Sequence, residues 1–151
     1  EMHLPPAEIE KIRQACLLHD IGKIAVHDAV LMKQEKLPDE EWEEMKSHVT
    51  KSVEILRPLG FLQHIIYLVE EHHERYDGNG YPNQLKGEDI LLGARIMSVA
   101  DSFSAMVSER PYSQPLSRDC AIEELIKNKG TQFDPDVVDA FLAILSRNKD
   151  F

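Results

Sequence analysis

The 151-residue sequence predicts an all-α protein, a helical bundle. Apolar residues recur at three- and four-residue intervals through most of the chain, the spacing that lines one face of a helix. No segment alternates apolar and polar residues as a half-buried strand does. Pro58, Gly60, Gly78, Gly80, Pro82 and Gly130 fall between the periodic stretches, where helices stop.

Pro5 and Pro6, followed by Ala7, open the first helix, since proline suits a first turn. Ile9, Ile12 and Cys16 form its stripe, and three residues further lies His19, with Asp20 beside it. Gly22 ends or bends this helix, and Lys23 follows within a turn. Residues 33–36 are polar and irregular. Leu37-Pro38-Asp39-Glu40-Glu41 starts a second helix with carboxylates in its first turn, where the helix dipole favours them. Trp42, Met45, Val49, Val53 and Leu56 make its apolar stripe, and His48 flanks it.

After Pro58 and Gly60, the residues Leu62, Ile65, Ile66 and Val69 resume helical spacing. His72 and His73 follow Val69 on the same face, which turns both inward. In the turn at residues 78–82, glycine permits close backbone approach. The next helix begins near Leu92 and runs through Met97, Val99, Ala100 and Phe103. Asp101 stands inside that apolar run, where a carboxylate needs a cation or hydrogen-bond donors. Ser117 caps a further helix that Gly130 closes. Asp134-Pro135 opens the last, with Val137, Val138, Phe141, Leu142 and Leu145 on its buried side.

Hydrophobic residues make up 42% of the chain, enough for a single core over residues 1–151. The net charge of −10 disfavours nucleic acid and anionic membranes as partners. A phosphate-bearing substrate would therefore be drawn by metal ions and local cations. No apolar run approaches the length of a membrane span. Cys16 and Cys120 sit in helical apolar patterns, which predicts reduced core thiols in a cytoplasmic protein. His19, Asp20, His48, His72, His73 and Asp101 together offer imidazole and carboxylate donors, suited to iron, manganese, zinc or nickel. On a helix, consecutive histidines project about 100° apart, so His72 and His73 serve neighbouring metal positions more readily than one shared ion.

His19-Asp20-Ile21-Gly22-Lys23, His48, His72-His73-Glu74, Gly80-Tyr81-Pro82 and Asp101 occur in the order and spacing of a known pattern. Over nearly its whole length the chain resembles the HD-GYP family of HD phosphohydrolases. The resemblance implies hydrolysis of cyclic di-GMP, a bacterial second messenger, to the linear dinucleotide or GMP. It implies two or three divalent metal ions, iron or manganese ahead of zinc or nickel, held by His19, Asp20, His48, His72, His73 and Asp101. Asp20 would bridge them. Attack would be in line, by a hydroxide shared between metals about 3.5–4 Å apart. Asp20 and Lys23 would carry catalysis. Lys23 and Arg110 would contact the substrate, and Tyr81 would either face it or pack. The Gly80-Tyr81-Pro82 loop would meet a partner of the diguanylate cyclase type.

Three departures accompany the match. The family pattern has a further upstream helix with a Glu and a His ligand, yet only eighteen residues precede His19. The chain is thus expected to be part of a longer protein, and His3 in its proline-flanked terminus is a poor replacement ligand. Ser104 stands where the family has Asp. Ser113 follows Arg110-Pro111-Tyr112 where a basic residue is usual. These motivate a second reading, a signalling or binding module without efficient hydrolysis. A third keeps the metals and changes the substrate to another nucleotide phosphate.

Overall fold

The computed structural model describes residues 1–109 and 114–147. Among them are α-helices, short 3-10 turns and one isolated bridge between Lys129 and Phe133, so the all-α expectation holds. Helix α1 (Pro6–Leu18) begins at the predicted proline and stops just before His19. A 3-10 turn (Ile21–Ala25) and the short α2 (Asp28–Leu31) follow. The buried face of α1 differs from the expected stripe. Ala15 is buried with Ile12 and Leu18 packed beside it, whereas Ile9 is 53% exposed and Cys16 is exposed. The row spaced by three from Ile12, through Ala15 to Leu18, is the one that meets the core. Cys120 is also exposed, so neither thiol is a core residue.

The single helix expected after Pro38 is two, α3 (Asp39–Lys46) and α4 (His48–Leu56). At the junction the Ser47 hydroxyl donates to the Glu44 carbonyl at 2.6 Å, and the Ser47 N–H is shared between the Glu43 and Glu44 carbonyls, each at 3.1 Å. The consequence is a division of labour. Helix α4 buries His48, Val49, Ser52, Val53 and Leu56, while α3 buries nothing and leaves Trp42 exposed, contrary to the predicted stripe.

Helix α5 (Ile66–Glu71) delivers His72 and His73 immediately past its end. Then come α6 (Leu92–Val107), α7 (Arg118–Lys127) and α8 (Pro135–Arg147). Ser117 accepts from the Cys120 N–H at 3.2 Å, the predicted cap. Asp134 accepts from the Asp136 N–H at 2.8 Å at the start of α8.

Helix α6 is the shared wall of two apolar clusters. Its Ala94 and Met97 pack with Ala15, Val53, Leu56, Ile65 and Val69. Its Val99 and Phe103 pack with Ala121, Leu125, Phe133, Val137, Val138 and Leu145. Between the two, Arg95 pairs with the buried Asp134. Among the described residues, no helix is long and apolar enough to cross a membrane.

Candidate metal centre

Three chain segments terminate at one place: the end of α1 with His19 and Asp20, the start of α4 with His48, and the end of α5 with His72 and His73. The first two lie so close that a Cβ on Gly22 would sit 2.0 Å from the His48 carbonyl oxygen and 2.4 Å from the Ser52 nitrogen. Glycine is the residue that permits this approach. Ser52, fully buried, then fastens the contact. Its hydroxyl accepts from the Gly22 N–H and donates to the His19 carbonyl, both at 2.8 Å.

Asp20, His48, His72 and His73 each bring one potential ligand atom to a group in which all lie within 4.8 Å of one another. His19 Nε2 stands 3.4 Å from Asp20 Oδ2 and 3.8 Å from Asp101 Oδ1. His48 Nε2 stands 3.4 Å from Asp20 Oδ1. Three of the rings share one orienting device. Nδ1 of His19, His48 and His72 faces the carbonyl three residues earlier, of Cys16, Met45 and Val69, at 2.7, 2.6 and 2.6 Å. A carbonyl only accepts, so Nδ1 carries the proton, and in the neutral ring Nε2 is left as a bare lone pair, within the group for His48 and His72.

Those three Nε2 atoms and Asp20 Oδ1 are buried with no hydrogen-bond partner among the described residues. Converging buried lone pairs without a donor are costly unless a cation meets them. The donor set fits a divalent metal, and backbone carbonyls behind the rings are the usual outer support of such ligands.

The charge states of Asp20, His48, His72 and His73 agree with that fit. Burial, reinforced by the neighbouring imidazoles, pushes His72 down to about 4 and His73 down to about 2. Burial also lowers His48. At His19 burial works the same way, but the Asp20 carboxylate outweighs it and the net shift is upward. Burial opposes ionisation of Asp20 as well, yet His19 and Lys23 hold its carboxyl well below the usual carboxylate range. Neutral imidazoles and an ionised carboxylate are the forms that bind metal.

The remaining sequence candidates fall as follows. Asp101 lies on α6 outside the four-donor group, and its side chain is 41% exposed rather than buried, because that face of α6 opens onto a cavity of about 240 Å³ shared with Cys16, His19 and His72. His72, the C-cap of α5, keeps right-handed helical geometry, yet both histidines reach one group rather than two separate positions. Their rings lie 4.0 Å apart and both serve the same group. Lys23 donates to Asp20 Oδ2 at 2.6 Å. Tyr81 stacks on His73, with ring centroids 5.0 Å apart. Ser104 is exposed on α6. His3 lies with Met2 and Leu4 beside Phe141 and Ile144 of α8, apart from the group. Arg110 and Ser113 lie outside the described residues.

Sequence reasoning missed Ser52, Glu71 and the role of Glu74. The buried Glu74 carboxylate accepts from the N–H groups of Asn83 at 2.6 Å and Leu85 at 3.0 Å, pinning the loop that carries Tyr81. That loop lies against its own origin, since a Cβ on Gly80 would be 2.3 Å from the Arg75 nitrogen. Buried Glu71 accepts from the Leu91 N–H at 2.7 Å at the head of α6. Carboxylates flanking the histidine pair were a visible signal for the two glutamates. Ser52 offered none, as a small polar residue in a helix is ordinary.

Residues 1–137 match the family model described as HD domain. Over 144 residues the chain is 44% identical to a cyclic di-GMP phosphodiesterase response regulator of Xanthomonas campestris, an alignment covering 94% of this chain and 38% of that protein. It is 42% identical to a cyclic di-GMP phosphodiesterase of Thermotoga maritima, covering 95% and 40% respectively. Identity to a 3'3'-cGAMP-specific phosphodiesterase of Vibrio cholerae is 40%, covering 92% and 27%. The chain therefore spans 40% or less of the length of these relatives. A crystal structure of a cyclic GMP-AMP-specific phosphodiesterase from Vibrio cholerae shares the fold, with a TM-score of 0.75 and 20% identity over 98% of this chain and 41% of that one.

Proposed function

We propose a function from one premise: this chain belongs to the HD domain family, in its HD-GYP branch. The HD domain is a metal-dependent hydrolase fold. Our reading is that residues 1–151 form a single domain of a longer phosphodiesterase that cleaves cyclic di-GMP. The observation that carries it is the meeting of ligand atoms of Asp20, His48, His72 and His73 within 4.8 Å of one another, with Nε2 of His48 and His72 and Oδ1 of Asp20 buried and unpartnered among the described residues.

Asp20, His48, His72 and His73 would hold metal, and His19, with Nε2 3.4 Å from Asp20 Oδ2 and 3.8 Å from Asp101 Oδ1, would add donors together with Asp101. We expect two or three ions, iron or manganese first. When bound, divalent metals polarise the phosphoryl group and acidify a water, the two requirements of hydrolysis without a covalent enzyme intermediate. The protein's own residues prepare that chemistry. Lys23 occupies Oδ2 of Asp20 and leaves Oδ1 turned toward His48. The backbone carbonyls behind His19, His48 and His72 keep each ring in the ligating tautomer. Tyr81 covers one face of His73 and borders a cleft of about 800 Å³ that has room for a dinucleotide. Lys23 is the cation nearest Asp20 and would balance charge on the phosphate, and Arg110 would hold the substrate.

Two named relatives act on 3'3'-cGAMP, so this messenger is the competing substrate. A cytoplasmic location accompanies the proposal. Association with a diguanylate cyclase at the Gly80-Tyr81-Pro82 loop rests on the family resemblance alone.

The test is hydrolysis by the full protein carrying this chain, loaded anaerobically with ferrous iron or manganese. Cyclic di-GMP and 3'3'-cGAMP are offered at equal concentration, beside Asp20→Ala. Expected is turnover of cyclic di-GMP that Asp20→Ala reduces by about a thousandfold or more. Bound metal without turnover of either messenger would overturn it in favour of a binding module or another phosphate ester.

A further inference from the structure

We propose that the cleft beside the metal centre is a second-nucleotide subsite, in which Lys46 takes the phosphate that is not cleaved and Trp42 stacks on a base. This rests on the phosphodiesterase reading above and adds residues to it. Trp42 and Lys46 are four residues apart on α3 and so share one face, on a helix that buries no residue. Both line the cleft. Tyr81 links them to the centre. Its ring stacks on His73 at 5.0 Å, meets Trp42 edge-on at 6.4 Å, and lies 5.8 Å below the Lys46 ammonium. Lys46 is thus one aromatic ring removed from a residue of the donor group. The two phosphates of a cyclic dinucleotide face each other across one small macrocycle, a comparable step.

The chemistry of the wall supports that occupant. Trp42 keeps 45% of its surface exposed, and an indole in a cleft is a stacking platform for any base. In a chain of net charge −10, a dianionic ligand needs local cations. Among the described residues lining the cleft these are Lys46 and Arg75. Arg75 is committed, with Nε and Nη2 on Asp77 and Nη1 on Gln132. Among the described residues Lys46 pairs only with Glu43, three residues away, at 2.7 Å. The Lys46 side chain is 25% exposed and that of Glu43 71%, so the pair opens to solvent on its Glu43 side, where a phosphate can replace the carboxylate.

Trp42 is the single tryptophan of this sequence, so its signal in the full protein is the difference in emission between the parent and Trp42→Leu, which cancels any tryptophan elsewhere. Metal-loaded full protein is mixed with cyclic di-GMP or with inorganic phosphate, and emission is read before turnover. We expect quenching by cyclic di-GMP and not by phosphate, which occupies only the metal end. Lys46→Gln raises both the half-quenching concentration and KM about tenfold, with kcat much less affected, and Trp42→Leu raises KM similarly. Equal quenching by phosphate, or an unchanged KM in Lys46→Gln, overturns the subsite while leaving the phosphodiesterase reading intact. Absence of both binding and turnover of cyclic dinucleotides in the unaltered protein instead overturns the phosphodiesterase reading, and the subsite with it.

Discussion

At Ser52 one hydroxyl satisfies a donor and an acceptor on either side of Asp20, the Gly22 N–H and the His19 carbonyl. Ser52→Ala leaves both buried and unpaired. The expected cost is about 2 kcal/mol by denaturant titration, together with weaker metal binding, since Asp20 loses its positioning. Asp77 supplies a pH test away from the metal residues. The Arg75 guanidinium, hydrogen-bonded to it, holds its carboxyl down at about 2. The folded-state pKa is depressed, so this stabilisation is complete above the ordinary Asp value and is lost as pH falls through about 2. Asp77→Asn should flatten the stability profile across that window and cost about 1 kcal/mol at neutral pH, measured from urea midpoints.

Helices bring their ends, rather than their middles, to the candidate site. The tightest junction is between the turn after α1 and the first turn of α4, where Gly22 leaves no space for a Cβ. Gly22→Ala must push backbone away from the His48 carbonyl. A loss of about 3 kcal/mol and of stoichiometric metal is expected, by denaturation and elemental analysis. Gly60 is the control, because a Cβ there would meet nothing within 4 Å, and Gly60→Ala should stay within about 0.5 kcal/mol of the parent.

Across the molecule, α6 joins two apolar clusters and Arg95 meets Asp134 between them. Breaking a buried pair strands a charge, so Arg95→Ala should cost about 3 kcal/mol and lower the melting temperature. Metal bound by residues of three segments would tie them together in the folded state only. At a hundredfold excess over Kd it should add about 2.7 kcal/mol, an upward melting shift that a chelator reverses and Asp20→Ala abolishes.

Helical period, proline and glycine punctuation and the residue types of the HD and GYP motifs sufficed to name the all-α class, most helix starts and six metal-ligand candidates. These are local properties, written in intervals of three and four residues. Which candidates share one donor group was decided by tertiary structure. His72 and His73 share a donor group with Asp20 and His48, while Asp101 lies outside it, 3.8 Å from His19. The burial of Ser52, Glu71 and Glu74 depends on segments distant in the chain. Periodicity carries no information about such contacts, because they are made by particular side chains meeting particular backbone groups only once the helices have packed.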